Sequence, residues 1–157
     1  MAAYHTALWE ALVDLIGETW PEVVPNGIYR ARELARIDWE RKAKRGELPL
    51  CVVDVEYGPS TRAGVCNRTE VVTATIYRIV GAVDEPDCAA QMDKAQELQQ
   101  ALWPLNGTKP LYPSGQVEAY PLASDHLGLL LNRYFLQSAQ PFWGTAVVVR
   151  ILVGETR

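Results

Sequence analysis

The stretch that most constrains the fold lies near the carboxyl end. Thr145 to Val153 is apolar at almost every position and broken only by Arg150. A strand with apolar residues at both parities has to lie centrally or be covered on both faces, so a sheet must be built around it. Two further segments supply neighbours. Cys51, Val53, Val55 and Tyr57 alternate with Val52, Asp54 and Glu56, the period-two pattern of a strand. Thr69 to Val80 is dense in Val, Thr, Ile and Tyr, with Val72, Ala74, Ile76 and Val80 facing one way and Val71, Thr73, Thr75, Tyr77 and Ile79 the other. The turn-rich Gly58 to Asn67 reads as the loop of a long hairpin between them, and Val117 to Leu122 as a short strand. Leu127 to Ala139 fits either period: Leu127, Leu130, Leu131 and Tyr134 suit a helix, and Leu129, Leu131 and Phe135 a strand.

Helical stripes flank these strands. Tyr4, Leu8, Leu12, Leu15 and Ile16 share one face opposite Glu10 and Asp14, in a helix ending near Gly17 and Pro21. Asp84, Glu85, Pro86 and Asp87 form an acidic helix start, and the helix is expected to reach Trp103. Ala95, Leu98 and Leu102 are its buried stripe, with Gln91, Lys94, Gln96 and Gln100 outward. Ile28 to Arg45 reads as a helix or helical turn with Ile28, Ala31, Ala35 and Trp39 on one face, and with Asp38–Lys42 and Glu40–Lys44 spaced as favourable pairs. These elements predict an α+β fold: a mixed, mainly antiparallel sheet of about four to five strands with amphipathic helices packed on one face. The 157 residues are read as one domain, a length that buries roughly 68–70% of its unfolded surface.

Charge is unevenly distributed. Ile28 to Arg45 carries seven Arg or Lys against three acids, a local +4 within a chain of net charge −4. The overall sign argues against binding nucleic acid across the whole surface, and the interleaved Glu33, Asp38 and Glu40 hold part of the local charge in pairs. The segment is therefore read as a solvated helix or a docking surface for an acidic protein, with Arg36, Arg41, Lys42 and Arg45 as candidates. No charged leader precedes an apolar core, the first Lys or Arg being Arg30. The apolar runs Ala146 to Val149 and Leu127 to Leu131 fall far short of the ~20 residues that span a bilayer, so no membrane association is expected. Cys51, Cys66 and Cys88 lack the close spacing of a zinc or redox motif and read as reduced thiols in a cytoplasm.

The sequence offers little catalytic chemistry. Consecutive Ser124, Asp125 and His126 cannot align as nucleophile, base and orienter, and they read as a helix cap or turn. No serine sits in a nucleophile elbow. Asp54 and Glu56 share a strand face and could hold a divalent metal, but Gly58 stands where many metal-dependent nuclease cores carry a lysine. His5 and His126 have no zinc spacing with the cysteines. Gly58 and Gly64 lack the following helix that would cradle phosphate. Asn67-Arg68-Thr69 and Asn106-Gly107-Thr108 match the glycosylation pattern by chance. No catalytic, cofactor or metal site is expected.

The order of elements resembles the tail-terminator proteins of long-tailed bacteriophages, the lambdoid terminators among them. The resemblance is carried by Tyr4 to Ile16, Leu48-Pro49-Leu50-Cys51-Val52-Val53, Val71-Val72-Thr73-Ala74-Thr75-Ile76-Tyr77, the Asp84 to Trp103 helix and the closing strand Ala146 to Val153. The chain departs from that pattern in its basic segment and in Ser124 to Pro141. The resemblance implies a hexameric ring, located in the virion, that caps the completed tail tube. Its partners would be further copies of itself, the tail tube protein and head–tail connector or neck proteins, with genome DNA passing through without sequence-specific binding. Both faces of the two long strands read as apolar, so a neighbouring subunit is expected to cover the face that the helices leave open. Gly58, Pro59, Ser60, Arg62 and Arg68 are the candidate interface loop, expected to order on contact. A neck or head-completion protein is the alternative within the virion, and a small metal-dependent nuclease using Asp54 and Glu56 the alternative outside it.

Overall fold

The computed structural model describes residues 4–63, 67–80, 85–102, 117–131 and 142–155. Helix α1 (Tyr4–Thr19) leads through a 3-10 turn at Pro21–Val23 into the short strand β1 (Ile28–Arg30). A 3-10 segment (Ala31–Arg36) and the one-and-a-half-turn helix α2 (Trp39–Lys44) follow. Then come strands β2 (Leu50–Ala63) and β3 (Asn67–Val80), helix α3 (Glu85–Leu102), and strands β4 (Val117–Leu131) and β5 (Phe142–Glu155). The five strands form one sheet in the order β1-β2-β3-β5-β4; only the β1–β2 pair is parallel. The expected α+β architecture is present, and β5 lies between β3 and β4, as its two-sided apolar pattern requires.

The principal core lies between the helices and one sheet face. Leu8, Leu12 and Ile16 of α1, and Ala95, Leu98 and Leu102 of α3, meet Cys51, Val53, Val72, Ala74, Ile76, Val147, Val149 and Ile151. Register explains why these strand residues share a face: Ile76 lies opposite both Val53 and Val147, and Ala74 opposite Val55 and Val149. A smaller core forms on the other side, where Leu50, Val52 and Ile79 pack with Tyr29, Ala31, Ile37, Leu48 and Tyr77. The 28–47 segment thus passes beneath the sheet and covers one corner of the face that α1 and α3 leave open.

Four expectations change. Ile28–Arg30 is a strand: Gly27, at φ 116°, turns the chain so that its carbonyl accepts from the Cys51 amide at 3.1 Å. Ile28 then packs into the principal core and Tyr29 into the smaller one, a period-two alternation over too few residues to outweigh the helical stripe. Within Gly58 to Asn67, residues up to Ala63 extend β2 and Asn67 opens β3, with Ser60 opposite Glu70 and Arg62 opposite Arg68. Gly58 and Pro59 form the bulge, two residues facing Val71 alone between the Tyr57–Val72 and Ser60–Glu70 pairs; there a proline costs the ladder no hydrogen bond. Strand β4 continues through Leu131, so Leu127 to Leu131 is strand and the remainder of the ambiguous stretch lies outside the described residues. Ser124, Asp125 and His126 are not a cap: they pair with Val149, Val148 and Val147.

The sheet face away from α1 and α3 is also less apolar than expected. Val71, Thr73, Thr75, Tyr77 and Val148 are half-buried, Glu56 and Arg150 are exposed, and Asp54 lies opposite Thr75. Threonine and charged residues tolerate water, so burial energy alone does not require a neighbour there.

Candidate functional site

The basic segment folds around a concavity of about 380 Å³ lined by Arg36, Arg41, Lys42 and Arg45 together with Tyr29, Glu33, Ile37, Asp38 and Glu47. All four cations singled out in the sequence therefore meet in one place. The segment is anchored where Tyr29, Ala31 and Ile37 enter the smaller core. It is closed at its far end by Gly46, whose φ of 67° suits glycine, and Asn26 Nδ2 ties its start to the Pro49 carbonyl at 2.8 Å.

The carboxylates of this concavity are occupied locally. Glu33 Oε1 accepts from the Arg30 amide at 3.4 Å, and Asp38 Oδ1 from the Arg41 amide at 3.1 Å, capping α2. Glu47 pairs with Lys42 at 3.3 Å. Lys42 also donates to the Asn26 carbonyl at 3.3 Å and lies 5.4 Å from the Tyr29 ring centroid. Burial opposes its charge, but Tyr29 and Glu47 outweigh burial and hold the ammonium above its ordinary pKa. Lys42 is thus committed inside the segment, and the expected Asp38–Lys42 side-chain pair gives way to the Asp38 cap and the Glu47 pair. Arg36, Arg41 and Arg45 are exposed and have no ion-pair partner among the described residues. Three guanidiniums around one hollow can take carboxylates or phosphates in bidentate fashion.

The second candidate group lies elsewhere. Gly58 and Pro59 are the β2 bulge, Ser60 and Arg62 follow it, and Arg68 is on β3. Arg68 stands in register with Arg62 on one side and Glu155 on the other.

Asp54 and Glu56 are two apart on β2, half-buried and exposed respectively. Burial and their negative charges raise the Tyr77 hydroxyl pKa. Among the described residues no cluster of three or more His, Cys, Asp or Glu could hold a metal. Ser124, Asp125 and His126 follow one another along β4, in register with Val149, Val148 and Val147 of β5, so successive positions alternate between the two faces of the sheet. No helix among the described residues is long and apolar enough to cross a membrane.

Arg78 escaped the sequence reading because it sits between Ile76 and Val80 on a strand of apolar alternation. It is 5% exposed, on the α1–α3 side of the sheet. Its guanidinium pairs with Glu22 at 3.0 Å, bonds to the Gln91 amide oxygen and stacks 6.0 Å from the Trp20 ring centroid. Gln91, expected outward, is recruited by this arginine. The missed signal was a charge at a core-facing parity, which demands buried partners.

No protein-family model matches the chain, and no curated protein matches it in sequence.

Proposed function

We propose that this protein is a structural subunit that caps the completed tail tube of a long-tailed bacteriophage as a ring, most simply a hexamer, stopping tube growth and offering the joining surface for the head. The observation that carries the reading is the hollow of Arg36, Arg41 and Arg45, whose neighbouring carboxylates are engaged elsewhere. An acidic subunit with one open basic hollow is suited to docking on an acidic rim, where charge sets orientation and encounter rate. The resemblance in element order supplies the class of partner. The α+β sheet with α1 and α3 packed on one face fits it.

The test is tail-tube assembly without the protein, with it, and with Arg36, Arg41 and Arg45 all changed to Glu. Overlong tubes are expected without the protein, regulated lengths with it, and overlong tubes again with the triple reversal. Regulated lengths in the protein's complete absence overturn the terminator function. Regulated lengths with the reversal overturn only the basic docking surface.

A further inference from the structure

The chain carries two surfaces of opposite charge that cannot reach each other. The hollow of Arg36, Arg41 and Arg45 lies on the side of the sheet where Tyr29 and Ile37 enter the smaller core. Helix α1 packs on the other side, with Leu8, Leu12 and Ile16 in the principal core. Its opposite face presents Glu10, Asp14 and Glu18, all exposed and none in an ion pair among the described residues. The sheet stands between the two surfaces, so within one copy neither can neutralise the other.

The two surfaces also match in spacing. Glu10, Asp14 and Glu18 recur every four residues, which sets them about 6 Å apart along one ridge of the helix. Arg41 and Arg45 have the same separation, and the Arg45 amide donates to the Arg41 carbonyl at 3.0 Å, so one helical turn carries both. Arg36 supplies the third cation. Other described acids fit less well. Glu97 of α3 pairs with Lys94 at 3.6 Å, and Glu22 is held by Arg78 at 3.0 Å. Asp54 and Glu56 are only two, and Asp54 is half-buried. α1 contains no Lys or Arg, and Arg30, which touches it, lies against the Trp9 ring.

We infer that the hollow of one copy is occupied by the α1 ridge of a second copy, its guanidiniums gripping the ridge carboxylates; this names the partner of the docking surface proposed above and rests on that reading. The basic segment keeps its +4 after Glu33, Asp38 and Glu40 are counted, within a chain of net charge −4. The remainder therefore carries −8, so a second copy is itself an acidic partner. Because hollow and ridge are different patches, the contact is heterologous. Each copy uses its hollow on one neighbour and its ridge on another, and the series closes as a ring when its rotation permits. Exposed charges of this kind set orientation and encounter rate, and salt weakens them.

Charge exchange in the full chain tests the pairing. One variant reverses the hollow (Arg36→Glu, Arg41→Glu, Arg45→Glu) and another the ridge (Glu10→Lys, Asp14→Lys, Glu18→Lys). All six sites are exposed, and urea denaturation checks that both variants stay folded. Self-association is measured by light scattering over a dilution series, and tail-tube length by electron microscopy. Each variant alone is expected to associate about tenfold more weakly than the wild type, the scale of three exposed charge pairs. An equimolar mixture should recover both association and length control, because reversed hollow then meets reversed ridge while native hollow meets native ridge. A mixture that stays dissociated overturns the pairing. So does association that survives ridge reversal but is lost with Asp54→Asn and Glu56→Gln, which would seat the β2 acids in the hollow. Loss of length control in the hollow variant, with full control in the ridge variant, overturns the inference and leaves the hollow as a tube-docking surface. A wild type that stays monomeric at high concentration, with and without tail tubes, overturns it as well. The association measurements need no tubes, so they stand or fall apart from the terminator function.

Discussion

Two arginine sites on opposite sides of the sheet show how environment divides one side chain between structure and recognition. Arg78 is enclosed by Glu22, Gln91 and Trp20 beneath α1 and α3. Arg36, Arg41 and Arg45 surround an open hollow whose acids are engaged with backbone amides or Lys42. A buried guanidinium must satisfy its charge within the fold, and its partners then fix the elements that carry them: Glu22 after α1 and Gln91 in α3 are both drawn to β3. An exposed guanidinium leaves the fold indifferent and keeps its capacity for a partner. The same residue type is therefore a clamp in one place and a contact surface in the other.

The largest effect should come from breaking the clamp. Arg78→Ala is expected to cost about 3 kcal/mol in urea denaturation, through the cavity left against Trp20 and the loss of the bonds that hold Gln91 of α3 and Glu22 to β3. Arg78→Met should cost about half as much, because it restores apolar volume and Glu22, about a third exposed, can return to water. Equal losses in the two variants would show that charge pairing, and not packing, dominates the site.

Alkaline pH should produce the next largest effect, and it separates interior from surface. Burial raises the Cys51 thiol pKa against the opposing pull of Arg78, so the folded chain keeps a proton that the unfolded chain releases above about pH 8.5. The contribution of Cys51 is therefore constant below that pH and falls above it by up to about 1.4 kcal/mol per pH unit. From about pH 10 the raised pKa values of Tyr77 and Lys42 add to the fall. In the Cys66→Ser, Cys88→Ser background, urea midpoints at pH 7 to 10 should show the decline, and Cys51→Ala should remove its first part. Cys51 should also resist alkylation until the chain unfolds. A thiol that reacts readily in the native state would contradict its place in the core.

Smallest of all should be the stability change on Arg41→Ala, within about 0.5 kcal/mol, because the site is exposed and the variant keeps the backbone amide that Asp38 caps. A loss comparable to that of Arg78→Ala would erase the contrast and make the basic hollow part of the folding core.

The candidate site was legible in part. Clustered charge in Ile28 to Arg45 pointed to Arg36, Arg41 and Arg45, and the fold gathers them. Lys42 could not be told apart from them, since its partners Asn26, Tyr29 and Glu47 come together only when the segment turns beneath the sheet. Arg78 was hidden for the same reason: Glu22 lies 56 residues away, and nothing local announces such a pair. The Gly58 to Asn67 segment was misread because glycine and proline signal a turn and a strand bulge alike.

What the sequence determined by itself is what periodicity encodes: the α1 stripe through Leu8, Leu12 and Ile16, the α3 stripe through Ala95, Leu98 and Leu102, the β2–β3 hairpin and the interior place of β5. Each follows from local burial, which leaves a mark at fixed spacing along the chain. Tertiary structure alone decided the parallel β1 edge, the extension of β4 to Leu131, the pairing of Arg78 and the hollow of three arginines. Those features depend on hydrogen bonds and charges between residues distant in sequence, and such pairings carry no period to read.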